Sequence, residues 1–238
     1  MEVVNEKSNN SRRGFIGDGL KLVIVSGIGS VALLSGCKAN NEEKEKKVSP
    51  PEDLMQEHGL LNRILLIYDH CKIHLLEKQS FDVDTLLHSA VIIRSFVEEY
   101  HEKQEENYLF PRFEKANQLT DLVQTLRLQH KAGRKITEQI MQFCKIKKLT
   151  SNEHQKLIQL LSDFTIMYRP HEAREDTVLF PAFRKLVSQH EYDSLGEEFE
   201  ANEHKHFGED GFETMVEKVT IIEKQLGIYE LAQFTPQM

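Results

Sequence analysis

Apolar residues recur every three or four positions through most of this chain, and no Asn-Gly or Asp-Gly hairpin signal falls between alternating runs. The stripe Leu54, Leu61, Leu65 and Tyr68 marks one face of a helix expected from about Pro51 to Glu77. The same period predicts helices over Asp82 to Tyr108 and Leu119 to Lys147, and a fourth that opens at Thr150-Ser151 and reaches Val178. Pro170 falls inside the fourth and is expected to bend it. Leu-Phe-Pro-x-Phe follows the second and the fourth, and reads as a helix stop with an apolar plug. Long helices with short links pack as antiparallel neighbours, so the expected fold is all-α, an up-down four-helix bundle over residues 52–187. An extension over 188–238 adds shorter helices, about Asp193 to His206 and Gly211 to Leu226, and a docked C-terminal segment.

The first residues read differently. Ser11-Arg12-Arg13-Gly14-Phe15-Ile16 is a twin-arginine pattern ahead of an apolar run from Leu22 to Leu34, which is short and Gly-rich for a membrane span. The run ends Leu34-Ser35-Gly36-Cys37, which resembles a lipoprotein lipobox with Cys37 as the lipidated residue. The alternative is an uncleaved N-terminal anchor. Residues 1–37 are thus expected to be a signal and 38–51 a charged tether, placing an exported protein at the membrane, on its periplasmic or other extracytoplasmic face.

Composition narrows the partners. The 238 residues are 39% hydrophobic and carry a net charge of −8, which argues against a nucleic-acid partner. Three cysteines are too few for a disulfide scaffold.

The chemistry lies in a repeat. His101 to Lys115 and His171 to Lys185 share eight identities in fifteen positions, including His-Glu-x-x-Glu and Leu-Phe-Pro. His58 and His130 precede the two cassettes by 43 and 41 residues, so helices one and two duplicate helices three and four. His101 and Glu105 are four apart and share a helix face, as do His171 and Glu175. Four imidazoles and two carboxylates, with no thiolate, suit a pair of redox metals better than structural zinc, and a carboxylate can bridge two ions. A zinc peptidase motif would need a second His where both cassettes have Glu. The Glu-x-x-His motif of ferritin-like bundles has the reverse order and a different spacing.

These residues resemble the hemerythrin-like, or HHE cation-binding, domain, from roughly Glu52 to Val187. The resemblance implies a non-haem di-iron site, oxo- or hydroxo-bridged, with His58, His101, His130 and His171 as terminal ligands and Glu105 and Glu175 as bridges; manganese or zinc also suits these donors. The oxygen carriers of that family have His-x-x-x-His on the third helix and end on an Asp five after its His. Here Arg134 stands four after His130, and Glu175 is the last carboxylate. Fewer imidazoles leave positions for exogenous ligands, which favours oxygen, peroxide or nitric oxide chemistry by a di-iron oxidoreductase over oxygen carriage. A non-catalytic oxygen- or iron-binding or sensing module is the alternative.

Around these ligands, Val97, Met167 and Val178 are expected to line the site, and Tyr108 either to aim its hydroxyl inward or to pack. Arg134 is expected to pair with Glu102 or Glu172, and those two glutamates either support a His or lie on a solvated face. Gly133 marks either a substrate path or a close helix contact. His70 and His74 are expected at the surface.

Overall fold

The structure is a computed structural model, and it describes residues 48–236. The expected signal, Cys37 and most of the tether lie outside them.

Helix α1 is Pro50–Leu76, opened by Ser49 and Glu52 in a reciprocal capping box. Helix α2 is one run assembled from Val83–Ile92, a π stretch Ile93–His101, Glu102–Gln104, a π turn Glu105–Leu109 and Phe110–Ala116. Helix α3 is Thr120–Cys144. Helix α4 comprises Ser151–Arg174, a π turn Glu175–Leu179 and Phe180–Leu186, and starts on the Thr150/Glu153 capping box. Helices α5 (Gln189–Phe207) and α6 (Gly211–Leu226) complete the described elements with a 3-10 turn, Leu231–Phe234. No strand occurs among the described residues.

Around the bundle, α1 packs on α4, α4 on α3, α3 on α2 and α2 on α1, so duplicated helices face each other diagonally. Helix α6 covers α1 and α2, held by Arg63, which donates to Glu223 at 3.0 Å through Nε and to Thr220 at 2.7 Å through Nη2. Two apolar clusters fill the bundle. One contains Ile64, Tyr68, Phe96 and Phe164; the other contains Leu54, Phe110, Phe113, Phe180, Phe183 and Phe199.

One expectation is overturned and another holds only in part. Leu-Phe-Pro does not stop either helix, because α2 continues to Ala116 and α4 to Leu186. The reason is the π turn that precedes each proline. The Phe110 N–H donates to the Glu105 carbonyl and the Phe180 N–H to the Glu175 carbonyl, five residues back. That shift restarts the α ladder, so Pro111 and Pro181 fall in a first turn, where their missing N–H removes no bond. The C-terminal segment docks only at its start: Ile228 packs against the core, whereas Leu231 is 82% and Phe234 53% exposed. Its 3-10 turn is closed locally, by the Gln233 N–H on the Glu230 carbonyl.

Candidate metal centre

The bundle brings all six candidate ligands together. Each is at most 4% exposed, although four are histidines and two are carboxylates. His58 comes from α1, His101 and Glu105 from α2, His130 from α3, and His171 and Glu175 from α4. The imidazole Nε2 atoms turn inward: His58 Nε2 lies 3.4 Å from Glu175, His130 Nε2 3.4 Å from Glu105, and His171 Nε2 3.1 Å from Glu175. His101 Nε2 is 3.8 Å from Glu105.

The six divide into two overlapping groups. Glu105, His130, His171 and Glu175 place one donor atom each within 4.8 Å of the others, and so do His58, His101 and Glu105. The imidazoles pair accordingly, with ring centroids 4.8 Å apart for His58 and His101 and 5.0 Å for His130 and His171. Apart from the imidazole Nε2 atoms that flank them, no donor among the described residues reaches the four oxygens of Glu105 and Glu175, all fully buried. Carboxylates so placed are costly unless a cation compensates them. Hard oxygen and imidazole donors in this number fit two first-row divalent ions.

An outer ring of hydrogen bonds orients the imidazoles, and sequence reasoning missed it. Each Nδ1 has an acceptor: Asp176 at 2.8 Å for His58, Glu57 at 2.7 Å for His101, Glu106 at 3.1 Å for His130 and Gln129 at 2.9 Å for His171. Where Nε2 faces a metal, Nδ1 carries the proton and donates. The signal was in the repeat. Glu57 and Gln129 stand one before the first His of each half, while Glu106 and Asp176 stand five after the cassette His. Asp176 occupies the +5 position of the oxygen carriers' Asp, yet serves His58 from outside.

Glu102 and Glu172 are not on a solvated face; both are buried. Glu102 accepts from the Tyr168 hydroxyl at 2.7 Å and pairs with Arg134 at 2.6 Å. Arg134 also holds Glu106 at 2.7 Å, and no ion pair links it to Glu172. Glu172 instead accepts from the Asn62 amide. Gly133 opens no substrate path, since a Cβ there would lie 2.1 Å from the Tyr168 hydroxyl oxygen; the missing side chain makes room for that phenol. Tyr108 does not address the centre. Its ring packs on Phe199 and its hydroxyl accepts from Asn202 at 3.3 Å, because the π turn rotates the helix between Glu105 and Leu109.

The Leu-Phe-Pro phenylalanines seal the site crosswise. Phe180 stacks on His58 with centroids 5.6 Å apart, and Phe110 on His130 at 5.5 Å. Val97 is buried, and Met167 and Val178 are half-buried. His70 and His74 lie ring to ring at 4.2 Å, half-buried, in none of the clusters that could hold a metal ion. Cys71 and Cys144 are free thiols, and burial pushes both up to about 12.

Electrostatics separate the two central carboxylates. Burial and the neighbouring Glu175 charge push Glu105 well above the ordinary range. Burial would raise Glu175 too, but His171 and His58 outweigh it and hold it well below. Burial opposes charge on His58, yet Asp176 and Glu175 prevail and push it up to about 10. His101 is lowered, burial outweighing Glu57. Burial, Asp176 and Glu175 raise Glu172 to about 8, against His58 and Asn62.

A four-helix bundle with paired imidazoles spanned by two buried carboxylates defines a cation-binding protein. The chain belongs to the hemerythrin family: residues 49–183 match the hemerythrin HHE cation binding domain. It is also 46% identical over 195 residues to uncharacterized protein Rv1995 of Mycobacterium tuberculosis and to uncharacterized protein Mb2018 of Mycobacterium bovis, covering 82% of this chain and 76% of each relative. No solved structure matches it.

Proposed function

We propose that the chain holds two iron ions, one at each imidazole pair, and that the loaded centre reacts with oxygen, peroxide or nitric oxide. The observation that carries this is the two fully buried carboxylates, flanked only by two pairs of inward-turned Nε2 atoms among the described residues. Glu105 and Glu175 would span the ions, and His58, His101, His130 and His171 would hold their outer sides. Iron so bound supplies one-electron redox chemistry and an attachment point for a small exogenous ligand.

The chain's own residues set the conditions. Phe110 and Phe180 exclude water from the imidazole faces and restrict access to ligands of a few atoms. Asp176, Glu57, Glu106 and Gln129 fix the tautomers. Arg134 pairs with Glu102, which burial raises above the ordinary carboxylate range and which lies 4.0 Å from His130 Nδ1. The twin-arginine pattern and Cys37 support an exported, lipid-anchored setting, and export of a folded protein agrees with a cofactor loaded beforehand.

The test is anaerobic reconstitution with ferrous iron followed by hydrogen peroxide under an oxygen electrode. Sustained oxygen evolution or substrate oxidation, lost in Glu105→Ala, supports turnover. A reversible spectral change with oxygen and no consumption makes the protein a binding module. No spectral response to any of the three ligands contradicts the proposal.

A further inference from the structure

The two halves offer identical inner ligands but different surroundings. On the His58–His101 side both Nδ1 atoms donate to carboxylates, Asp176 and Glu57. The buried glutamate beside them, Glu172, is met by the neutral amide of Asn62. The α1 cation Arg63 is engaged elsewhere, on Glu223 and Thr220. On the His130–His171 side one Nδ1 acceptor is the neutral Gln129. The other, Glu106, is shared with Arg134 and Lys103. The buried glutamate on that side, Glu102, is neutralised by the same Arg134. Arg127 lies 5.0 Å over Phe110, the ring stacked on His130, but is itself paired with Glu114 at 2.9 Å.

The repeat shows that each contrast is a substitution at an equivalent position. Asn62 and Arg134 each stand four after the first His of their half, and Glu57 and Gln129 one before it. A carboxylate behind an imidazole raises its basicity toward a metal, and an amide does so less. A buried acid met by an amide, as Glu172 is, attracts a divalent ion in a low-dielectric interior, and the guanidinium beside its counterpart Glu102 repels one.

We propose that the two cation positions are unequal by construction: the His58–His101 position fills first and holds a divalent ion more tightly, while the His130–His171 position fills second and empties first. Glu57 and Asp176 on one side, and Gln129 and Arg134 on the other, are positioning residues that set the difference. The inference rests on the two-ion reading of the centre. A loosely held second ion gives the protein a half-loaded state, governed by the free metal concentration.

The experiment titrates metal-free full-length protein with cobalt(II) anaerobically at a single buffered pH, followed by calorimetry and by the cobalt absorption bands. The expected result is two steps of one ion each, separated by at least tenfold in affinity. Glu57→Gln weakens the tighter step about 10- to 100-fold and leaves the weaker step in place. Gln129→Glu strengthens the weaker step and narrows the gap, and as it adds a ligand-supporting group it keeps the test valid should Glu57→Gln fail to fold by circular dichroism. A single step for both ions, or a Glu57→Gln effect confined to the weaker step, overturns the inequality while leaving the two-ion centre standing. Binding of fewer than two ions to folded wild-type protein overturns both.

Discussion

The half built from α1 and α2 and the half built from α3 and α4 carry the same catalogue of inner groups, yet they solve the burial of charge differently. Each contributes two imidazoles and one central glutamate, a π turn that begins at that glutamate, and a phenylalanine that stacks on the other half's first His. Their second glutamates diverge: Glu102 is answered by a guanidinium and a phenol, Glu172 by an amide. The six candidate ligands have stayed duplicated, and the groups around them have not.

Removing a shared element should have the largest effect. Glu105→Ala deletes the carboxylate common to both donor groups, so loading should fall from two ions per chain to at most one, as measured by metal analysis after desalting. Breaking one half's charge compensation comes next. Arg134→Met leaves Glu102, 1% exposed, without its cation, and should cost about 3–5 kcal/mol in denaturant unfolding. Its counterpart Asn62→Leu removes a single hydrogen bond to Glu172 and should cost less, about 1–3 kcal/mol. Equal costs would show that the halves are not compensated differently.

The halves also differ in how protons compete with metal. His58, pushed up to about 10, is protonated at neutral pH in the metal-free protein and must lose that proton to bind. Affinity at the His58–His101 position should therefore rise with pH, by about tenfold per unit below 10, with proton release seen as a buffer-dependent enthalpy. Asp176→Asn replaces the carboxylate behind His58 with a neutral amide and should end this slope at a lower pH.

Packing gives the smaller contrasts. Gly133→Ala drives a methyl into the Tyr168 phenol and should cost about 1–3 kcal/mol, partly recovered in the double variant with Tyr168→Leu. A Cβ on Gly59, in the other half, meets nothing within 4 Å, so Gly59→Ala should be neutral or stabilise by up to about 1 kcal/mol.

Much of this was legible in the sequence because a helix of fixed pitch converts spacing into direction. His101 and Glu105, with their repeats, had to share a face, and the antiparallel order had to bring four helices to one level. The Nδ1 partners were not legible from pitch alone. Glu106 lies one residue past Glu105 and reaches a different helix, which depends on the π turn and on which helices are neighbours. The same π turn hid the continuation of α2 and α4 through Pro111 and Pro181 and turned Tyr108 outward. Gly133 read as a gap because the phenol that fills it comes from Tyr168, a residue whose equivalent in the other half is Glu98.

Anomalous diffraction at the iron edge, on crystals of the anaerobically reconstituted protein, tests the central claim most directly. Two peaks flanking Glu105 and Glu175, one beside His58 and His101 and the other beside His130 and His171, are the predicted result. A lone peak, or iron bound away from these six side chains, would contradict it.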